Sequence, residues 1–250
     1  MRTGTVGRWR AYLVGEPTDL TRLRRELSIT VAEDDAGTYL QADDFEQRAD
    51  ADAVQAAVGP LVVLLNGMAS LSFSGHRRVG FSGTIARDEA RHIYVGDSVR
   101  LSDDMNVVRV AVDLTADGVV TGVDGIVRTS PGLSSMQRRL ASIATHPELA
   151  AVYRLLGLKD PSWGDLYKAL ELLGDAVGGE QRLTKRTGVA RERIKLLKGN
   201  SNDPELTGDD ARHAIPTKES RVNVQITLAE GLAILDELIQ GYVRLAGRAR

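Results

Sequence analysis

The first half of the chain moves between two hydrophobic periods. Trp9, Ala11 and Leu13 occupy every second position within Arg8 to Gly15, the spacing of a strand with one buried face. Leu20, Leu23 and Leu27 then step by three and four, which predicts a short helix with Thr18 as N-cap and Arg22, Arg24 and Arg25 on its wet side. Between Ile29 and Phe45, β-branched residues flank the turn sequence Asp34-Asp35-Ala36-Gly37, predicting a hairpin that ends in Thr38-Tyr39-Leu40. From Asp50 the positions Val54, Val58, Leu61, Leu65 and Met68 follow helical spacing, with Gly59-Pro60 as a kink or a restart. Strand-like stretches follow at 78–86, 91–95 and 106–114, and the glycines of 118–125 read as a hairpin link. Residues 1–128 are therefore expected to form an α+β domain with a mainly antiparallel sheet.

Turn-forming residues gather at Arg128-Thr129-Ser130-Pro131-Gly132, the expected domain boundary, and beyond it every apolar pattern is helical. Helices are predicted over 134–144, 147–156, 163–177, 181–187, 190–198 and 227–245. The last opens with Thr227 and Glu230 spaced as a capping box, and Leu228, Leu232, Leu235 and Ile239 make its packing stripe. The fold class expected is α+β: an N-terminal, mainly antiparallel sheet with helices, followed by an all-α domain over 133–250.

Composition narrows the chemistry. The absence of cysteine excludes disulfides and thiol catalysis, and the four histidines (His76, His92, His146, His213) are scattered, so neither a metal nor a cofactor is expected. The Gly-x4-Gly-Lys-Ser/Thr phosphate loop does not occur. The N-terminus lacks the apolar stretch of a signal peptide and no run of about 18 apolar residues occurs, which gives a cytoplasmic expectation with no membrane partner. A net charge of -2, from 32 basic and 34 acidic residues, supplies no general attraction to nucleic acid, so such a role needs a local patch.

One segment supplies it. Between Glu180 and Gly199 stand seven Lys or Arg and two Glu. Within it, Leu183-Thr184-Lys185-Arg186-Thr187-Gly188-Val189-Ala190-Arg191-Glu192-Arg193-Ile194-Lys195-Leu196-Leu197-Lys198-Gly199 resembles the helix-turn-helix of lactose-repressor-type and phage-repressor-type regulators. Gly188 matches the turn, and Leu183, Val189, Ile194 and Leu197 match the small shared core, whereas Thr184 and Leu196 depart from the usual pattern. The resemblance implies that Ala190, Arg191 and Glu192 lie nearest base edges, with Lys185, Arg186, Lys195 and Lys198 completing the nucleic-acid-binding set. It also implies DNA or RNA as partner and a homodimer, because one such unit binds duplex weakly. An acidic protein surface would suit the same cations.

An enzymatic alternative rests on Arg212 and His213 in the polar connection before the last helix. That connection loosely resembles the site region of HEPN-type ribonucleases, which would imply proton transfer by His213 and phosphate stabilisation by Arg212. The adjacent pair departs from that family's Arg-x4–6-His spacing. Eight acids between Glu33 and Asp52 would suit a divalent cation only if several converge, and solvated turns account for them equally. The leading expectation is a non-enzymatic binding or regulatory protein acting through 181–199, with the ribonuclease-like enzyme and a purely protein-interaction module as the alternatives.

Overall fold

The computed structural model describes residues 8–28, 30–88, 90–93, 119–121, 127–129, 133–203 and 224–246. The expected strand at 106–114 lies outside them, as do Arg212 and His213. The fold is α+β, as the patterning predicts. Its contacts divide it into two compact units, Met1–Val62 with Val79–Thr145, and Val63–Arg78 with His146–Arg250.

The first unit holds an antiparallel sheet of five strands, β1 (Arg10–Val14), β2 (Val31–Asp34), β3 (Gly37–Leu40), β4 (Gly80–Arg87) and β5 (Ala90–Ile93), in the order β2-β3-β1-β4-β5. Register brings Val31, Leu40, Ala11 and Ile85 side by side on one face, all fully buried. The opposite face carries a polar cluster, in which Arg10 and the Tyr12 hydroxyl both donate to Asp34 Oδ2, at 2.7 and 2.8 Å. A separate antiparallel pair joins β6 (Val119–Thr121) to β7 (Val127–Thr129); β6 lies within 118–125, the stretch read from its glycines as a link between strands.

Helix α1 (Pro17–Glu26) starts earlier than the polar pattern suggests. Glu16 is the N-cap and Pro17 opens the helix, because proline's fixed φ suits the first turn, so Thr18 lies inside it. Asp19 is buried and Leu20 only partly so, opposite to the expectation. A short helix the sequence pattern did not reveal, α2 (Asp43–Glu46), uses the acidic run. Those acids are distributed among arginines: Glu33 pairs with Arg24, Asp43 with Arg8, and Asp44 with Arg48. Burial pushes Asp34 up, but hydrogen bonds from Tyr12, the Ala36 N–H and Arg10 outweigh it and hold its carboxyl below the usual range. Among the described residues no three His, Asp or Glu converge as a metal site.

Helix α3 (Ala51–Ser72) is continuous through Pro60, and Val54, Val58, Leu61, Leu65 and Met68 are all fully buried. It is long and apolar enough to cross a membrane, yet 72% of its most apolar window is buried inside the fold, the placement of a core helix. Helix α4 (Ser135–Thr145) completes the described helices of the first unit and packs against α1.

The second unit is helical, with α5 (Glu148–Gly157), α6 (Trp163–Val177), α7 (Glu180–Thr187), α8 (Arg191–Asn202) and α9 (Leu228–Ala246). Here α3 and α5 cross at backbone contact. A Cβ on Gly67 would stand 1.7 Å from the Tyr153 carbonyl oxygen, and one on Gly157 would stand 1.8 Å from that of Val63. Helix α6 is the hub, touching α5, α7, α8 and α9. The capping box of α9 forms as predicted, with Thr227 and Glu230 each bonding the other's backbone N–H. Its buried stripe is rotated, however: Leu228 and Leu232 are half-buried, while Ile234, Leu238 and Tyr242 join Leu235 and Ile239 in the core. Gly231, which admits Trp163 and Leu166 of α6, and Gly241 set that rotation.

Candidate nucleic-acid interface

The basic segment folds as two helices joined by three residues, and local chemistry dictates each end. Helix α6 begins with Ser162 and Asp165 capping one another and ends at Gly178, whose φ of 80° closes the last turn in the left-handed region. Gly179 turns the chain into α7. That helix ends at Gly188, at φ 72°, whose N–H bonds the Thr184 carbonyl at 3.0 Å. The Thr187 hydroxyl donates to the Leu183 carbonyl at 2.9 Å and accepts from the Val189 N–H at 3.3 Å, holding the turn from inside. Leu183, Ile194 and Leu197 are 0% exposed and Val189 is buried beside them. Thr184 is half-buried, and its hydroxyl donates to the Glu180 carbonyl at 3.0 Å.

Helix α8 runs four residues beyond the predicted 198, through Gly199. Tertiary bonds extend it: the fully buried Asn200 amide donates to the Leu196 carbonyl and, at 3.1 Å, to that of Val224, and its oxygen accepts the Ile226 N–H at 3.0 Å. One side chain thus pins the chain that leads into α9. Asn200 is thus an internal clamp between α8 and that segment.

The predicted contact residues fall into two groups. Lys185, Arg191, Glu192 and Lys195 are exposed, and among the described residues none of them has a charged partner. The others are engaged. Lys198 donates to Glu180 at 2.9 Å, a bond that raises its pKa above the usual lysine range and keeps it charged but committed. Arg186 lies over the Tyr242 ring, its Cζ 4.5 Å from the centroid. The neighbouring Arg193 is exposed but pairs with Glu237 of α9 at 2.7 Å. The outward faces of the neighbouring helices are mixed with an excess of acid: Glu171 and Asp175 stand with Lys168 on α6, and Glu230 and Glu237 with Arg244 on α9, all exposed. A cavity of about 160 Å³ between α6, α7 and α8 is lined by Leu170 and Leu183 together with Glu171, Asp175, Glu180 and Lys198, three acids to one cation that is already bonded to Glu180.

Thr187, Asn200, Gly241 and Tyr242 are the site-shaping residues that sequence reasoning passed over. A glycine within a helical stripe, as at Gly241, is the one signal that pointed to them, because it marks close backbone approach. Comparison of the chain with models of protein families, curated proteins and solved structures found no match.

Proposed function

We propose that this chain is a non-enzymatic, nucleic-acid-binding regulatory protein that engages duplex DNA through the N-terminal half of α8 and the outer side of α7. The observation that carries this reading is the separation of the cations. Lys185, Arg191 and Lys195 stand exposed and unpaired among the described residues on one helix pair, while α6 and α9 each expose two acids to one base, Glu171 and Asp175 with Lys168, and Glu230 and Glu237 with Arg244. A helix presenting such cations fits the major groove of B-DNA, about 12 Å wide, whereas the corresponding groove of duplex RNA is too narrow for it. Single strands are a poorer match, because the tyrosines near α7 and α8, Tyr167 and Tyr242, are buried and offer no stacking platform. Arg191 and Glu192, in the first turn of α8, are the residues nearest base edges in this reading, with Lys185 and Lys195 on phosphates. A second copy of the chain bound alongside would raise the affinity of so small a module.

The two phosphate-facing cations, Lys185 and Lys195, imply a slope of log K on log salt near -1.8, so affinity falls about 12-fold between 50 and 200 mM salt. Fluorescence anisotropy with mixed-sequence duplex DNA measures this. Arg191→Ala/Lys195→Ala should bring the slope to about -0.9 and the fall to three- or fourfold. Salt-insensitive binding, or a variant that binds as the wild type does, overturns the reading. Preferential binding and cleavage of RNA would do so as well.

A further inference from the structure

We propose that Arg186 is a positioning residue and not a nucleic-acid contact: with Tyr242 and Glu148 it forms a stack that seats α7 on α9 and ties both to the start of α5. This rests on the nucleic-acid reading above and gives Arg186, a contact residue expected from the sequence, a different role.

The three residues lie 38 and 56 positions apart in sequence yet form one chain of contacts. Tyr242 is 2% exposed, and its hydroxyl donates to Glu148 Oε1. His146 Nδ1 stands 3.4 Å from the same oxygen, and the His146 ring meets Tyr242 edge-on with centroids 5.2 Å apart. The tyrosine ring is therefore held at its hydroxyl and at its edge. The Arg186 guanidinium lies against its face, where the ring quadrupole attracts a cation. A guanidinium spread on that ring is not also extended toward a phosphate outside the helix.

Helix α7 needs such a tie. It has eight residues, too few for stability on its own, and buries only Leu183 and Thr187. Next to Tyr242, Gly241 lets the backbones of α9 and α7 meet, since a Cβ there would stand 2.3 Å from the Thr187 carbonyl oxygen. Gly241 and the Arg186 stack together fix the last turn of α7, immediately before the Gly188 turn that aims α8. A shift of that turn displaces Lys185, Arg191 and Lys195 together without removing any of them.

The test compares Arg186→Met, which fills the same space without charge, and Arg186→Lys, which keeps a cation over the ring, with Lys195→Met as the reference for a phosphate contact. Full-length proteins are assayed for duplex binding across a salt series and for hydrogen exchange of the 180–187 amides. Arg186→Met should bind about tenfold more weakly with the wild-type salt slope, while the 180–187 amides exchange about tenfold faster. Arg186→Lys should stay within about twofold of wild type on both measures, since ammonium groups also bind ring faces. Lys195→Met should lose about 0.9 of the slope with exchange unchanged. Arg186→Met losing slope at unchanged exchange makes Arg186 a phosphate contact and overturns the proposal, as does wild-type behaviour of that variant on both measures. If the wild type binds no duplex, the nucleic-acid reading fails, and exchange alone decides whether Arg186 seats α7.

Discussion

Replacing Gly67 with alanine adds one methyl group where α3 crosses α5, and the structure fixes what that methyl meets. Its carbon would lie 1.7 Å from the Tyr153 carbonyl oxygen, half of the 3.4 Å at which ordinary contact begins. The obstacle is backbone, so no rotamer change relieves it, and the two helices must separate by more than 1 Å at the crossing. Val63, Met68, Tyr153 and Leu156, all buried there, then lose contact, and gaps of 0.5–1 Å already forfeit about a quarter to a half of each dispersion well. Overpacking of this kind costs about 1–3 kcal/mol, and a rigid backbone obstacle places Gly67→Ala near 3 kcal/mol. Gly157→Ala makes the reciprocal clash, 1.8 Å from the Val63 carbonyl oxygen. Once one methyl has parted the helices the second finds room, so the double variant should lose clearly less than the sum of the singles. Gly174→Ala in α6 is the control: nothing lies within 4 Å of its Cβ position, so helix propensity alone acts and stability rises by about 0.5–1 kcal/mol. Urea denaturation followed by circular dichroism measures the four variants against the wild type. A Gly67→Ala midpoint equal to or above that of the wild type would refute the reasoning, since it would mean the helices do not meet at backbone distance.

Two further predictions follow from buried polar groups. Burial first, then the hydrogen bond to Glu148 and its charge, push Tyr242 up to about 12 against an opposing effect of Arg186, so the folded protein keeps that proton where the unfolded chain loses it near 10. The resulting stability is present below pH 10 and lost as pH rises through 12, on the order of 2–3 kcal/mol; absorbance titration at alkaline pH should show a tyrosine step near pH 12 that Tyr242→Phe lacks. Complete tyrosine ionisation by about pH 11 in the folded wild type would contradict this. Asn200→Ala leaves the Ile226 N–H and the Val224 carbonyl without their partner and should cost about 2 kcal/mol, with amides at the start of α9 exchanging faster; unchanged exchange there would show that Asn200 does not anchor the return of the chain.

What the sequence determined is local. Strand and helix periods placed all five strands of the large sheet and six helices of the C-terminal half, because alternation and three-to-four stepping reflect which side chains a single element can bury. Capping chemistry did the same at Thr227 and Glu230, where both partners lie within one turn. Gly188 marked the turn between α7 and α8, since a left-handed residue there favours glycine. Only tertiary structure decided which cations of the basic segment stay free. Whether a Lys or Arg is available depends on groups far away in the chain, as Glu237 takes Arg193 and Tyr242 takes Arg186. The extension of α8 through Gly199 and the rotated stripe of α9 have the same origin: Asn200 bonds a segment 24 to 26 residues away, and Gly231 and Gly241 admit neighbouring helices that periodicity along one element does not encode.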